Sequence, residues 1–481
     1  MKDWVERELA TAHLGDKRLV DRMKLLLHRM VESPSKSIKA ACCGCAEVIG
    51  AYRYFDNDSV TVESTLEPHR NATVERVKAV ERVLCVQDTS ELDFTAKEKL
   101  NGTGPLSTQQ RRGFFAHNQL VLTPEGVPLG VWGTDIWARD DAEHGKANAR
   151  KLKPIEEKES YRWLQGFESA CRLAELAPGV QIVACGDREN DIYEIFEAHR
   201  KRHDSGQVTP DLLIRCNQNR ALTDKKTIRS ALEAASLLGS YVLSIKKKVQ
   251  FKKKGGNRSQ SVRSAREAVM EVSAKTVTFR PPYRKDVKLE PVTMTVVMTK
   301  EKDPPADEDP IEWVLLTTLA VTDFSSAMDV IDLYAARWEI EVFHRVLKTG
   351  CRIEELQLKE ADRIRPCIAL YMIVAWRLMY LTKLGRECPE LPCDVLFEED
   401  EWQAFWVVVR NGASDALAKK PSLGEFMNKV AEAGGYLGRK SDGPPGPEAV
   451  WLGLQKVRAY AVAWQIFVKQ KGYEAYPEHK P

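Results

Sequence analysis

The sequence predicts an α/β protein: a strand-and-helix core carrying a mostly β insertion, with a helical domain on either side. Three observations predict it. Apolar runs of strand length end in acids, as in "VLCVQD" and "IVACGD"; a charged helical segment (159–177) lies between them; and the first sixty and last hundred residues have helical periodicity.

Taken in order, "GDKRLVDRMKLLLHRMVES" spaces Leu19, Met23, Leu26, Leu27 and Met30 as a core stripe, opposite Lys17, Arg18, Arg22, Lys24 and Arg29. From about Arg82 the pattern turns to strands. "FFAHNQLVLTPEGVPLGVWGTDIWA" has Pro124, Glu125 and Gly126 at its centre and predicts a hairpin. A helix over 159–177 follows, and then the strand that ends at Asp187.

Between about 212 and 310 come further strand-like runs. They enclose a basic stretch in which nine Lys or Arg residues between Lys246 and Arg266 meet no acid. The Pro-rich, acidic "KEKDPPADEDP" leads to an apolar strand, "IEWVLLTTLAV", and Ser326 with Asp329 marks a helix start. One continuous helix is expected through "YAARWEIEVFHRVLKTG". The expected domains are 1–65, 66–365 (insertion at about 212–310) and 366–481, the last ending in an apolar helix from Pro447 that docks on its own domain or on a second copy.

Bulk composition fits this plan. With 481 residues, 43% hydrophobic and 29% charged, the chain has ample material for a large core, and a net charge of +3 conceals clusters of both signs. Eleven irregularly spaced cysteines and an N-terminus without an apolar run predict reduced thiols in a cytoplasmic protein. The three thiols of "ACCGCAE" lack a second ligand pair at zinc spacing and are expected as small buried side chains. The longest apolar stretch, from Cys367, contains Arg377 and Lys383, which favours a core helix over a membrane span.

The chemistry resides in the acids. Asp88 and Asp187 are expected to close strands, and loops diverge at strand ends to leave a crevice. In the helix of the quoted stretch, Tyr334, Arg337, Glu341 and Lys348 stand 3, 4 and 7 residues apart, so they share one face with His344 and Arg345. Three carboxylates make an all-oxygen site suited to Mg²⁺ or Mn²⁺. Two such ions about 4 Å apart activate a water or a 3′-hydroxyl and stabilise the leaving oxygen of an in-line phosphoryl transfer. Arg337, Arg345 and Lys348 are suited to hold the flanking phosphates, and Tyr334 to support a phosphate or the leaving group. Singly, each acid has a plain structural explanation as a turn former, an N-cap or half of a surface ion pair; only the set points to catalysis.

The quoted stretch matches a Y-x2-R-x3-E-x6-K pattern, "CGDREND" a D-R-E-x-D segment, and "VLCVQDTSEL" the segment bearing a first catalytic acid. In these motifs the sequence resembles the cut-and-paste DDE transposases of bacterial insertion sequences, the transposon-five group in particular. The likeness extends to "ELATAHLGDKRLVDR" and "IGAYRYFDN" of a transposon-end-binding domain and to "GGYLGRKSDGPPGPEAVWLGLQ" of a dimerisation region.

The resemblance implies a ribonuclease-H-like catalytic core with Asp88, Asp187 and Glu341 as catalytic acids and ligands of two Mg²⁺ ions, Mn²⁺ substituting. It implies contacts to DNA from Tyr334, Arg337, Arg345, Lys348, Arg188, Trp313 and the basic-loop residues Lys252, Lys253 and Arg258, with Trp313 taking part in flipping a base near a hairpin. It also implies double-stranded DNA partners, both transposon ends and target, and a homodimer in a synaptic complex. Two other readings fit the same residues: a catalytically inactive DNA-binding inhibitor of transposition, and a ribonuclease-H-like nuclease without strand transfer.

Overall fold

The structure is a computed structural model that describes residues 4–32, 37–97, 100–108, 110–143, 154–254, 257–284, 288–306, 308–439 and 442–470, with the side chains of 248–262 and 468–470 outside the description. It is mixed α/β with a large sheet and divides into two compact units: one of residues 81–88 and 152–338, the other of 1–80, 89–151 and 339–481.

In the unit of 81–88 and 152–338, a sheet runs in the order β1 (Arg82–Asp93), β5 (Gln181–Gly186), β6 (Asp211–Arg215), β12 (Glu312–Thr317), β11 (Val292–Glu301), β10 (Arg266–Phe279), β7 (Leu237–Ile245). The first three are parallel and the rest antiparallel. Parallel strands are covered on both faces, which is why their sequences are near-continuous apolar runs: Val83 to Val86, Ile182 to Cys185 and Leu212 to Ile214 are all buried. Helices α6 (Tyr161–Leu176), α7 (Tyr193–Asp204), α8 (Ile228–Glu233) and α9 (Phe324–Ala336) pack on this sheet or on one another. The basic stretch forms a separate two-stranded hairpin, β8 (Lys248–Lys254) with β9 (Asn257–Arg263).

Two expectations shift here. Helix α9 starts earlier than Ser326: Asp323 is the N-cap, its carboxylate accepting from the Ser326 N–H at 2.8 Å, with the Ser326 hydroxyl returning to the Asp323 N–H in a capping box. The quoted helix is also not continuous. Helix α9 ends at Ala336, Arg337 and Trp338 donate backbone bonds three residues back rather than four, and α10 (Glu339–Arg345) begins afterwards, followed by a wide π turn over Val346–Gly350.

In the unit of 1–80, 89–151 and 339–481, the N-terminal helices are α1 (Trp4–Glu8), α2 (Lys17–Glu32), α3 (Ile38–Ala41), α4 (Cys45–Phe55) and α5 (Val62–Val77). β2 (Gly104–Pro105), β3 (Arg112–Leu122) and β4 (Pro128–Trp137) pair antiparallel, giving the expected hairpin. The centre is α11 (Ala361–Glu387), on which α2, α4, α5 and β4 pack. It is long and apolar enough to cross a membrane, yet 83% of its apolar window is buried inside the protein, so it is a core helix. Its Trp376 indole donates to the Pro128 carbonyl at 2.8 Å, sits edge-on to His69 at 4.8 Å and underlies the Arg76 guanidinium at 4.3 Å.

His69 is fully buried: its Nε2 accepts from the Val131 N–H at 2.8 Å and its Nδ1 meets the Glu8 carboxylate, which Arg76 also grips with two bonds of 2.9 and 3.0 Å. Helices α12 (Glu399–Val409), α13 (Leu423–Ala433) and α14 (Pro447–Trp464) enclose a further apolar cluster around Phe405, Phe426 and Val430.

Candidate active site

Strand register brings the first two acids together. Gln87 of β1 is paired with Gly186 of β5 in a parallel ladder, so the next residue of each strand, Asp88 and Asp187, leaves the ladder at the same level. Both are half-buried. Asp88 does not close its strand as expected: β1 continues to Asp93, its polar "TSELD" running beside β3, where the Thr89 hydroxyl lies 2.9 Å from His117 Nδ1.

Asp187 does end β5. It caps a tight 3₁₀ turn, Arg188–Asn190, by accepting from the Glu189 N–H at 2.8 Å. The turn fits because Gly186 has no side chain; a Cβ there would lie 2.3 Å from Asn190 Nδ2. Asp191 has a different task. It is buried, accepts from the Asn217 and Gln218 N–H groups at 2.7 and 2.8 Å and pairs with Arg220, fastening the loop after β6 to the loop after β5.

Around Asp187 the same unit gathers cations and aromatic rings. Trp313, at the start of β12, meets the Tyr334 ring edge-on at 5.2 Å, and the Arg337 guanidinium lies 5.7 Å from that ring. Among the described residues the buried Tyr334 hydroxyl has no partner at full hydrogen-bond geometry, with the Arg215 guanidinium its near neighbour, and burial pushes its pKa up to about 12, so it remains a donor at neutral pH. Beside it a cavity of about 260 Å³ is lined by Arg188, Arg215, Asn217, Gln218 and Arg229. Arg215 is half-buried, and desolvation is the main cause holding its pKa below the usual arginine value.

The third acid, Glu341, is on α10, which presents His344 one turn later and Arg345 exposed at its end; Lys348 follows half-buried in the π turn. His344 is buried and hydrogen-bonded through Nε2 to the Asn118 side-chain amide at 3.0 Å, while Thr134 donates to Asn118 Oδ1 at 2.7 Å. Glu341 and His344, one turn apart on α10, are two side chains able to ligate a metal ion.

Three family models match the chain. Residues 1–60 match a transposase DNA-binding domain, 183–376 a transposase DDE domain, and 373–471 the Transposase Tn5 dimerisation domain.

The chain is a Tn5-like DDE transposase.

As a DDE transposase it is a metal-dependent DNA endonuclease and transferase. The transposase binds DNA through its N-terminal domain and forms homodimers through its C-terminal one. The family uses divalent metals, and the carboxylates of Asp88, Asp187 and Glu341 are of the oxygen-donor type that suits a hard cation. The matched DDE span contains Asp187 and Glu341 and begins after Asp88.

Sequence reasoning passed over His344 and Asn118 as site residues. The Glu341–His344 interval of three was a signal for the first; nothing local marked the second, 226 residues away from its partner. Of the basic-loop residues, Lys252, Lys253 and Arg258 belong to the β8–β9 hairpin, and their side chains lie outside the described residues.

Proposed function

We propose that this transposase moves DNA by cut and paste: it nicks a transposon end, forms and opens a hairpin there, and joins the freed end to target DNA. Asp88, Asp187 and Glu341 are the catalytic acids. They would hold two Mg²⁺ ions per active site, replaceable by Mn²⁺, and the metal pair would supply activation of the attacking oxygen and stabilisation of the leaving one. His344, whose Nε2 accepts from the Asn118 amide, carries its proton on Nδ1 and serves to orient Glu341.

The protein's own groups position the strand. Arg337, Arg345, Lys348 and Arg188 neutralise phosphates flanking the scissile bond. Tyr334 donates its buried hydroxyl to a phosphate oxygen, and Trp313 offers a ring face to a base turned out of the bent duplex. Lys252, Lys253 and Arg258 of the β8–β9 hairpin track the DNA backbone through salt-sensitive contacts. Two copies assemble on two ends in a synaptic complex, in the bacterial cytosol, with domains at 1–65, 66–365 and 366–481.

One observation carries this reading: Asp88 and Asp187 leave adjacent parallel strands at one level. The test uses purified transposase, Mg²⁺ and the DNA ends flanking its gene. Nicks, hairpins and double-strand breaks are expected, together with joined products when target DNA is added. Asp88→Ala, Asp187→Ala and Glu341→Ala each bring cleavage to background while leaving end binding intact. Cleavage that survives any one of these substitutions refutes the assignment.

A further inference from the structure

Of the eleven cysteines, two are exposed: Cys43, in the short connection between α3 and α4 with the half-buried Cys42, and Cys45, the first residue of α4. The sequence had suggested buried thiols here; the connection between α3 and α4 and the first residue of α4 instead each turn one to solvent. Six of the others are buried and two half-buried, and none of the eleven has a role in the acid cluster. The loop lies within the DNA-binding domain.

The loop also fixes how two helices of that domain meet. Glu47, in the first turn of α4, accepts from the Cys43 N–H at 2.8 Å and takes a two-pronged bond from Arg29 of α2, at 3.0 and 2.9 Å. Any change in the path of Cys43 therefore acts on the carboxylate that ties α4 to α2. Between the two exposed thiols stands Gly44, with φ +104° and open space where a side chain would be. Residues two apart are at most about 7 Å from Cα to Cα, and disulfides span about 4.4 to 6.8 Å. A modest bend at this glycine closes the difference.

We propose that Cys43 and Cys45 form a thiol-modification site at which a hydroperoxide closes a disulfide and thereby weakens binding of DNA ends. One exposed thiolate attacks the peroxide O–O bond; an S–O bond forms, and the departing hydroxide takes a proton to become water. The second thiolate then attacks that sulfur, the S–S bond forms, and the sulfenic oxygen leaves as a second water. Two thiols and one hydroperoxide thus give one disulfide, with water replaced by the corresponding alcohol when the oxidant is an alkyl hydroperoxide. The ring so formed pulls the Cys43 N–H from Glu47 and frees Arg29 to change partner.

The experiment treats full-length transposase with hydrogen peroxide, maps the thiols by mass spectrometry, and measures binding to duplexes taken from the DNA flanking its gene. The expected result is a loss of two hydrogens confined to the peptide holding Cys43 and Cys45, with affinity reduced about tenfold and restored by dithiothreitol. The Cys43→Ser/Cys45→Ser double variant binds like the untreated protein and ignores peroxide, and Cys42→Ser remains sensitive. A bond to any other cysteine, a disulfide without loss of affinity, or peroxide sensitivity that persists in the double variant overturns the proposal.

Discussion

At the scale of single residues, position in a ladder matters more than chemical type. Many acids in this chain end a strand or turn, but among the described residues only Asp88 and Asp187 follow paired residues of neighbouring parallel strands. Gly186 makes that placement possible, and Gly186→Ala drives a methyl group into Asn190. It is expected to cost about 1–3 kcal/mol of stability by overpacking and to reduce cleavage more than end binding, as paired melting and activity assays would show. Tyr334 gives the opposite pattern. Because its buried hydroxyl has no partner at full hydrogen-bond geometry among the described residues, Tyr334→Phe should leave the melting temperature unchanged or raise stability by up to about 1 kcal/mol, while cleavage falls. A stability loss with intact cleavage would make the hydroxyl structural. Asp187 was legible because an apolar run stops at it. Asp88 was only partly so: the polar residues after it look like a loop, and pairing beside β3, invisible locally, keeps them extended.

At the scale of elements, periodicity identified the long pieces and missed their interruptions. The segment from Tyr334 to Gly350 has one helical pattern in sequence, yet tighter bonds at Arg337 and Trp338 divide it. Side-chain spacing cannot report a change in backbone bonding. Helix α5 was overlooked for a related reason: Pro68 lies inside it and suggests a break, whereas the Thr61 and Ser64 capping box secures its start. Helix α11 announced itself by composition, and one indole ties it by specific contacts to β4 and α5. Trp376→Phe removes the bond to the Pro128 carbonyl and weakens the Arg76 contact. We expect a loss of about 1–3 kcal/mol in chemical denaturation, with metal-dependent cleavage retained at permissive temperature.

At the scale of the whole molecule, acid should unfold the protein through the buried Glu8, His69 and Arg76 group. Desolvation keeps the His69 pKa below its ordinary 6.5, so below that pH the unfolded chain takes up a proton that the folded ring refuses. Burial alone would raise the Glu8 carboxyl, but His69 and Arg76 outweigh it and hold it at about 2, so its stabilisation is present above about 4.5 and lost as pH falls towards 2. Both signs agree: stability declines with acid. Melting temperatures should fall below about pH 6.5, with the histidine contributing a slope of at most about 1.4 kcal/mol per pH unit. His69→Asn should flatten the profile between about pH 6.5 and 5; an unchanged slope would locate the titrating group elsewhere.

The central place of α11 has an outcome for biosynthesis. Its first residue, Ala361, is translated some three hundred residues after α2, α4 and α5, which pack against it. Until the ribosome has passed that point, the DNA-gripping helices have no completed floor to fold upon. A message broken before it would yield fragments with sticky apolar faces, suited to degradation rather than to occupying genomic sites.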